Sequence, residues 1–188
     1  MQKIYYGKAV YNTKEIRAVI NVLKNNSLNL VDGPHVKILE KKVAKIFGKK
    51  FGLMVNSGSS ANLLSLASFN FRKGSEIITP TLTFSTTVSP IYQVGCVPHF
   101  VDVEKNHFGV HPKKLENYLK NNTLKRNQLC INKKTQRVIR AIIIVHVFGH
   151  SAEIKGLIKI AKKYNIKIIE DAAEALGSFN NKKHLKQC

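Results

Sequence analysis

Apolar residues recur along this 188-residue chain in two alternating rhythms. One has the spacing of a helix face and the other the continuity of a buried strand. "NTKEIRAVINVLKNN" puts Ile16, Val19, Ile20 and Leu23 on one helical face, with Asn12 or Thr13 as N-cap. "HVKILEKKVAKIFG" repeats the pattern with Val36, Leu39, Val43, Ile46 and Phe47, and Gly48 is placed to stop it. "FGLMVN" reads as a short apolar strand and "SSANLLSLASFNF" as the next helix. "EIITP" follows as a strand, and "TFSTTVSPIYQVG" as a loop running into a short helix. "VPHFVDVE" predicts a third strand and "HPKKLENYLK" an amphipathic helix. "RAIIIVHVFG" is apolar throughout, as expected of a strand with helices over both sheet faces. "IKGLIKIAKKYN" is a helix, "IKIIE" the last clear strand, and "AAEALG" a small-residue segment able to wind into a helix.

Alternating helices and strands predict an α/β fold, three αβα layers around a mostly parallel sheet. Residues 121–137, "NNTLKRNQLCINKKTQR", interrupt the rhythm with a polar, basic stretch that predicts a surface excursion such as a small hairpin. No repeat or low-complexity linker marks a domain boundary.

Composition adds little to that picture except charge. The hydrophobic fraction of 44% is ordinary for a globular chain. No apolar run approaches the ~18 residues of a membrane span, and "MQKIYYGKAV" lacks the apolar core of a secretory signal. The default expectation is a cytoplasmic protein. Cys96, Cys130 and Cys188 are odd in number and far apart, which argues for free thiols over a disulfide framework or zinc site. The net charge of +20 attracts nucleic acid non-specifically. The lysines are nevertheless spread along the chain among asparagines, and no nucleic-acid motif accompanies them. No specific nucleic-acid partner is expected.

Chemistry concentrates at three strand ends. In "VNSGSSANLL" a strand leads through Gly58, Ser59 and Ser60 into a helix, either as a phosphate cradle or as an ordinary serine N-cap. It is neither a Walker loop nor GxGxxG. Phe84, in "TPTLTFSTTVSP", stands past a strand end, either as core or as a ring stacked on a ligand. Asp171 ends "IKIIE", either as the N-cap of a following helix or as the partner of a protonated ring nitrogen. His146 and His150, in "HVFGH", do not form a helical metal pair, and His146 reads first as a structural histidine.

Taken together, these segments resemble the DegT/DnrJ/EryC1/StrS sugar aminotransferases, of the fold-type I pyridoxal-phosphate class. "GPHVKILEKKVAKIFGKKFGLMVNSGSSANLLSL", "GSEIITPTLTFSTTVSPIYQVGCVPHFVDVE", "VHVFGHSAEIKGL" and "IIEDAAEALGS" are similar to the family's signatures, in order, along nearly the whole chain. The resemblance implies that Gly58 and Ser59 hold the phosphate of pyridoxal 5′-phosphate. Phe84 would stack on its ring, Asp171 would pair with the ring nitrogen, and Glu174 would lie near the ring hydroxyl. It implies a nucleotide-linked keto-deoxysugar substrate, glutamate as amino donor, a role in surface polysaccharide or glycan biosynthesis, and a homodimer.

"VNSGSSANLL" and "TFSTTVSPI" resemble the branch containing 3-dehydratases. "CINKKTQRVIRAIIIVHVFG" and "EDAAEALGSF" resemble the aminotransferases, and the signature around the ring acid favours amino transfer. The Schiff-base lysine of the family follows the ring acid by about thirty residues, which points beyond Cys188. Lys182, Lys183 and Lys186 are too close to Asp171 to take that role. Residues 1–188 are therefore expected to be the N-terminal part of the large domain. The end of that domain and the small C-terminal domain would be missing, an edge of the sheet unpaired, and the fragment inactive. A basic binding protein on an inactive fold is the reading from another class.

Overall fold

The structure is a computed structural model, and it describes residues 8–25, 30–180 and 183–184. Lys182, Lys186 and Cys188, considered above, lie outside the described residues. The chain divides into two compact units, Met1–Lys45 with Lys50–Met54, and Ile46–Lys49 with Val55–Cys188.

The first unit carries α1 (Thr13–Asn25) and most of α2 (Pro34–Ile46). Asn12 caps α1: its side chain accepts the Lys14 N–H at 2.8 Å while Glu15 reaches back to the Asn12 N–H at 2.7 Å. That reciprocal pair satisfies two donors that a helix start leaves orphaned. The apolar face of α1, Ile16, Val19, Ile20 and Leu23, is exposed. Gly52 passes close to α2, where a Cβ would stand 2.6 Å from the Glu40 carbonyl oxygen.

"FGLMVN" is not a strand. A strand requires a neighbour to complete its ladder, and no described strand pairs with this segment. The Met54 N–H goes instead to the Glu40 carboxylate at 2.7 Å.

The second unit is built on a sheet. α3 (Gly58–Ala67) leads to β1 (Glu76–Pro80), α4 (Ser85–Gln93) to β2 (Val97–Val101), and α5 (Pro112–Asn122) to the hairpin β3 (Thr123–Arg126) and β4 (Leu129–Asn132). Then come β5 (Val138–Val145), α6 (Ile154–Tyr164) and β6 (Lys167–Asp171), with β7 (Phe179–Asn180) and β8 (Lys183–His184) as a separate two-stranded pair. β2, β1, β5 and β6 are parallel neighbours in that order. The interrupting stretch is the expected hairpin. It turns at Asn127 and Gln128, both at positive φ, the conformation a tight two-residue turn needs. β4 pairs antiparallel with the first residues of β5, and β6 takes the rest of the same side.

The run "AIIIV" explains the three layers. Ile142 and Ile144 pack with Leu115 and Leu119 of α5 and Leu157 and Ala161 of α6. Ala141 and Ile143 face the other way, against Leu66 of α3 and Ile91 of α4. The strand alternates by two, yet both faces are apolar because both are covered. Ile139 breaks the parity by joining the α5–α6 face. The register between β1 and β5 slips there: Glu76 pairs with Ile139, but Ile77 pairs with Ala141. One extra residue in β5 flips the alternation.

The αβα architecture expected from the sequence is thus the one observed. The segment "AAEALG", able by its residues to wind into a helix, forms turns instead, which removes the reading of Asp171 as the N-cap of a helix. Asp171 Oδ1 accepts the Ala173 N–H at 3.2 Å, an Asx turn like the one that caps α1, but the segment it opens is short and ends at Gly177, at positive φ.

Candidate functional site

The carboxyl ends of β1, β5 and β6 share one edge of the parallel sheet, the place where open α/β sheets bind ligands. Two helices present their first turns there.

α3 is capped by Ser57, whose hydroxyl oxygen accepts the Ser60 N–H at 3.2 Å. Ser60 turns its own hydroxyl onto Asn56 Oδ1 at 2.6 Å. Ser57 and Ser60 therefore serve the cap. The backbone N–H groups of Gly58 and Ser59 have no acceptor among the described residues, as the first turn of a helix dictates. The Ser59 side chain is exposed, and a Cβ on Gly58 would meet nothing within 4 Å. The sequence left cap and cradle as alternatives, and the structure divides them: Ser57 caps, while Gly58 and Ser59 face open space.

Phe84 is the N-cap residue of α4, with an extended backbone. Its side chain is 73% exposed, which removes the core reading. Its carbonyl accepts the Thr87 N–H at 2.9 Å.

Asp171 is where the two helices meet. Its Oδ2 accepts from Asn62 Nδ2 at 2.9 Å and from the Thr87 hydroxyl at 3.0 Å. Thr83 in turn donates to Thr87 Oγ1 at 2.9 Å. Asn62 is one helical turn beyond Gly58, and Thr87 one turn beyond Phe84, so each shares a helix face with its predecessor. Asn62 and Thr87 were not singled out in the sequence. That spacing from the chosen glycine and phenylalanine was the available signal.

Glu174 stands apart from this cluster. Its carboxylate accepts the Phe148 N–H at 2.7 Å and holds the short 3-10 turn Val147–Gly149. Phe148 and Gly149 both have positive φ, and Phe148 rests edge-to-face on Phe108 at 6.1 Å. His146 is buried behind the edge. Its Nδ1 accepts the Ala152 N–H at 3.2 Å, which leaves the proton of the neutral ring on Nε2, 3.3 Å from Glu170 Oε2. The structural reading of His146 holds. Among the described residues no group of three or more histidine, cysteine or acidic side chains is arranged to hold a metal. No helix there is long and apolar enough to cross a membrane.

Known proteins share this fold. The family model for the DegT/DnrJ/EryC1/StrS aminotransferases matches residues 10–186. A GDP-4-keto-6-deoxy-D-mannose 3-dehydratase of Yersinia pseudotuberculosis is 32% identical over 183 residues, covering 94% of this chain and 42% of the relative. Among solved structures, E. coli GDP-4-keto-6-deoxy-D-mannose-3-dehydratase with bound hydrated PLP has a TM-score of 0.77 at 30% identity, covering 94% of this chain and 42% of that one. A DegT/DnrJ/EryC1/StrS aminotransferase from Brucella abortus has a TM-score of 0.77 at 26% identity, covering 88% and 41%. The chain spans less than half the length of these relatives. It belongs to the DegT/DnrJ/EryC1/StrS aminotransferase family, whose members are pyridoxal-phosphate-dependent enzymes.

Proposed function

We propose that this chain forms the cofactor-holding part of a pyridoxal-phosphate enzyme acting on a nucleotide-linked keto-deoxysugar. The observation that carries the reading is Asp171, held by one donor from α3 and one from α4 at the carboxyl edge of the sheet. Those two helices also carry the residues suited to the rest of the cofactor.

The donor set fits the group. Gly58 and Ser59 offer two backbone N–H groups and a hydroxyl at a helix N-terminus, a site that favours a phosphate dianion. Phe84 offers an exposed ring at the start of α4 for stacking. Asp171 offers a carboxylate to a ring N–H, which holds the pyridine protonated. When bound, pyridoxal phosphate supplies an electron sink, and that protonated ring is its source. Glu174 holds the Phe148 N–H. Its expected place near the ring hydroxyl is part of this proposal.

Two reactions suit such a site. Amino transfer from glutamate is the reading that the signature around Asp171 supports. Removal of the sugar 3-hydroxyl is supported by the relatives, since the dehydratases reach 32% and 30% identity and the Brucella aminotransferase 26%. We take the substrate class as common to both and 3-dehydration as the reading favoured by likeness. Incubating the gene's full-length product with GDP-4-keto-6-deoxymannose, glutamate and pyridoxal phosphate tests it. A product that has lost the 3-hydroxyl supports dehydration, and a sugar that has gained nitrogen supports amino transfer. An unchanged sugar, together with no measurable pyridoxal phosphate binding, overturns the proposal.

A further inference from the structure

Each oxygen of a carboxylate has two lone-pair positions in its plane. On Asp171 they are unequally used. Oδ2 accepts from Asn62 Nδ2 at 2.9 Å and from the Thr87 hydroxyl at 3.0 Å, which fills it. Among the described residues Oδ1 accepts only the Ala173 N–H, at 3.2 Å, which leaves one position open to them.

The two donors on Oδ2 are fixed by their own surroundings. Thr87 has a single hydroxyl proton, and Thr83 donates to its oxygen at 2.9 Å, so that proton is directed at Asp171. Thr87 is 1% exposed, so water does not compete for it. Asn62 must turn its amide nitrogen to Asp171, because an ionised carboxylate has nothing to donate to the amide oxygen. The same nitrogen lies 3.4 Å from the Thr86 carbonyl, the other acceptor it faces.

We propose that Asn62 and Thr87 are positioning residues that fix which oxygen of Asp171 takes the cofactor's ring N–H: they saturate Oδ2 and reserve Oδ1. This rests on the reading of Asp171 as the acid for that nitrogen. Rotation of the carboxylate would break two bonds at once. The arrangement also ties the two ends of the cofactor together. The helix whose first turn faces the phosphate, α3, grips the ring acid one turn later.

The test is equilibrium binding to the full chain of pyridoxal phosphate and of its deaza analogue, in which a C–H replaces the ring nitrogen. The ratio of the two dissociation constants isolates the ring nitrogen from phosphate and stacking. The parent is expected to prefer pyridoxal phosphate by about tenfold or more, the worth of one charge-assisted hydrogen bond. Asn62→Leu and Thr87→Val should each reduce that ratio, and the double variant should bring it near one. Thr87→Ser, which keeps the hydroxyl, should retain the parent ratio. A purely structural role would weaken both ligands equally and leave the ratio unchanged, which overturns the proposal. Asp171→Ala separates the two layers. If it keeps the parent ratio, the assignment of Asp171 fails. If it abolishes the ratio while Asn62→Leu and Thr87→Val preserve it, the positioning role alone fails. Should Thr87→Val not fold, Asn62→Leu against the parent gives the same decision.

Discussion

Glu76 and His99, on the neighbouring strands β1 and β2, stand with Oε2 and Nδ1 2.8 Å apart. The same Glu76 carboxylate accepts from Asn132 Nδ2 at 2.9 Å and from the Thr135 hydroxyl at 2.5 Å. It ties the interrupting stretch to the first residue of β1. Burial pushes the Glu76 carboxyl up, but the hydrogen bonds from Thr135, Asn132 and His99 outweigh it and hold the group below its ordinary value. A carboxyl lowered in the folded state adds stability that is complete above the ordinary carboxylate value. That stability is lost as pH falls through the lowered folded value. Urea midpoints should therefore drop on acidification, and Glu76→Gln should flatten the drop. Glu76→Ala leaves three donors without their acceptor and should cost about 3 kcal/mol at neutral pH.

Two glycines should respond differently to one added methyl group. On α6, a Cβ at Gly156 would stand 2.8 Å from both Cβ and Cγ of Pro112 on α5. Gly156→Ala should lower stability by about 1–3 kcal/mol, read from thermal or urea unfolding. At Gly58 the added Cβ meets no protein atom, so Gly58→Ala should leave stability within about 0.5 kcal/mol of the parent. Its effect should appear in pyridoxal phosphate binding, weakened by about tenfold where the phosphate needs that space.

Glu174→Ala should release the Phe148 amide. The lost hydrogen bond is partly solvent-exposed and worth about 1 kcal/mol, or about fivefold in hydrogen-exchange rate at that amide. Unchanged exchange at Phe148 would show that the positive-φ turn is held by its other contacts.

His146→Leu keeps the volume of a buried ring but removes the acceptor for the Ala152 N–H and the partner of Glu170. Stability should fall by about 2–3 kcal/mol, with secondary structure retained by circular dichroism.

The layers of the second unit were legible because their cause is local. "AIIIV" declares a strand covered on both faces, and the helix faces of α5 and α6 declare what covers one of them. The two segments misread from sequence fail for a different reason. "FGLMVN" has strand-like residues, but a strand is a relation between two segments, and the sequence of one does not contain the other. "AAEALG" has helix-forming residues, but the segment is short and closes on Gly177 at positive φ, too little to repay helix nucleation. At the site, Gly58, Ser59, Phe84 and Asp171 were visible as strand-end and helix-start chemistry. Asn62 and Thr87 were not: their spacing from Gly58 and Phe84 marks a shared helix face, but the partner lies 109 and 84 residues away, and local spacing does not name it.

The hairpin has a consequence for how β5 finds its place. β5 must align with β1, and the Glu76–Ile139 pair closes a loop of more than sixty residues. β4 meets the same Ile139 through Cys130, only nine residues earlier in the chain. Short closures are entropically cheaper and form first. The turn at Asn127 and Gln128 thus supplies a local template on which the central strand can start before its distant neighbour arrives. Weakening that turn should slow folding, where weakening the β5–β6 pairing should chiefly speed unfolding. A stretch that breaks the rhythm of the sequence becomes the pacemaker for its central strand.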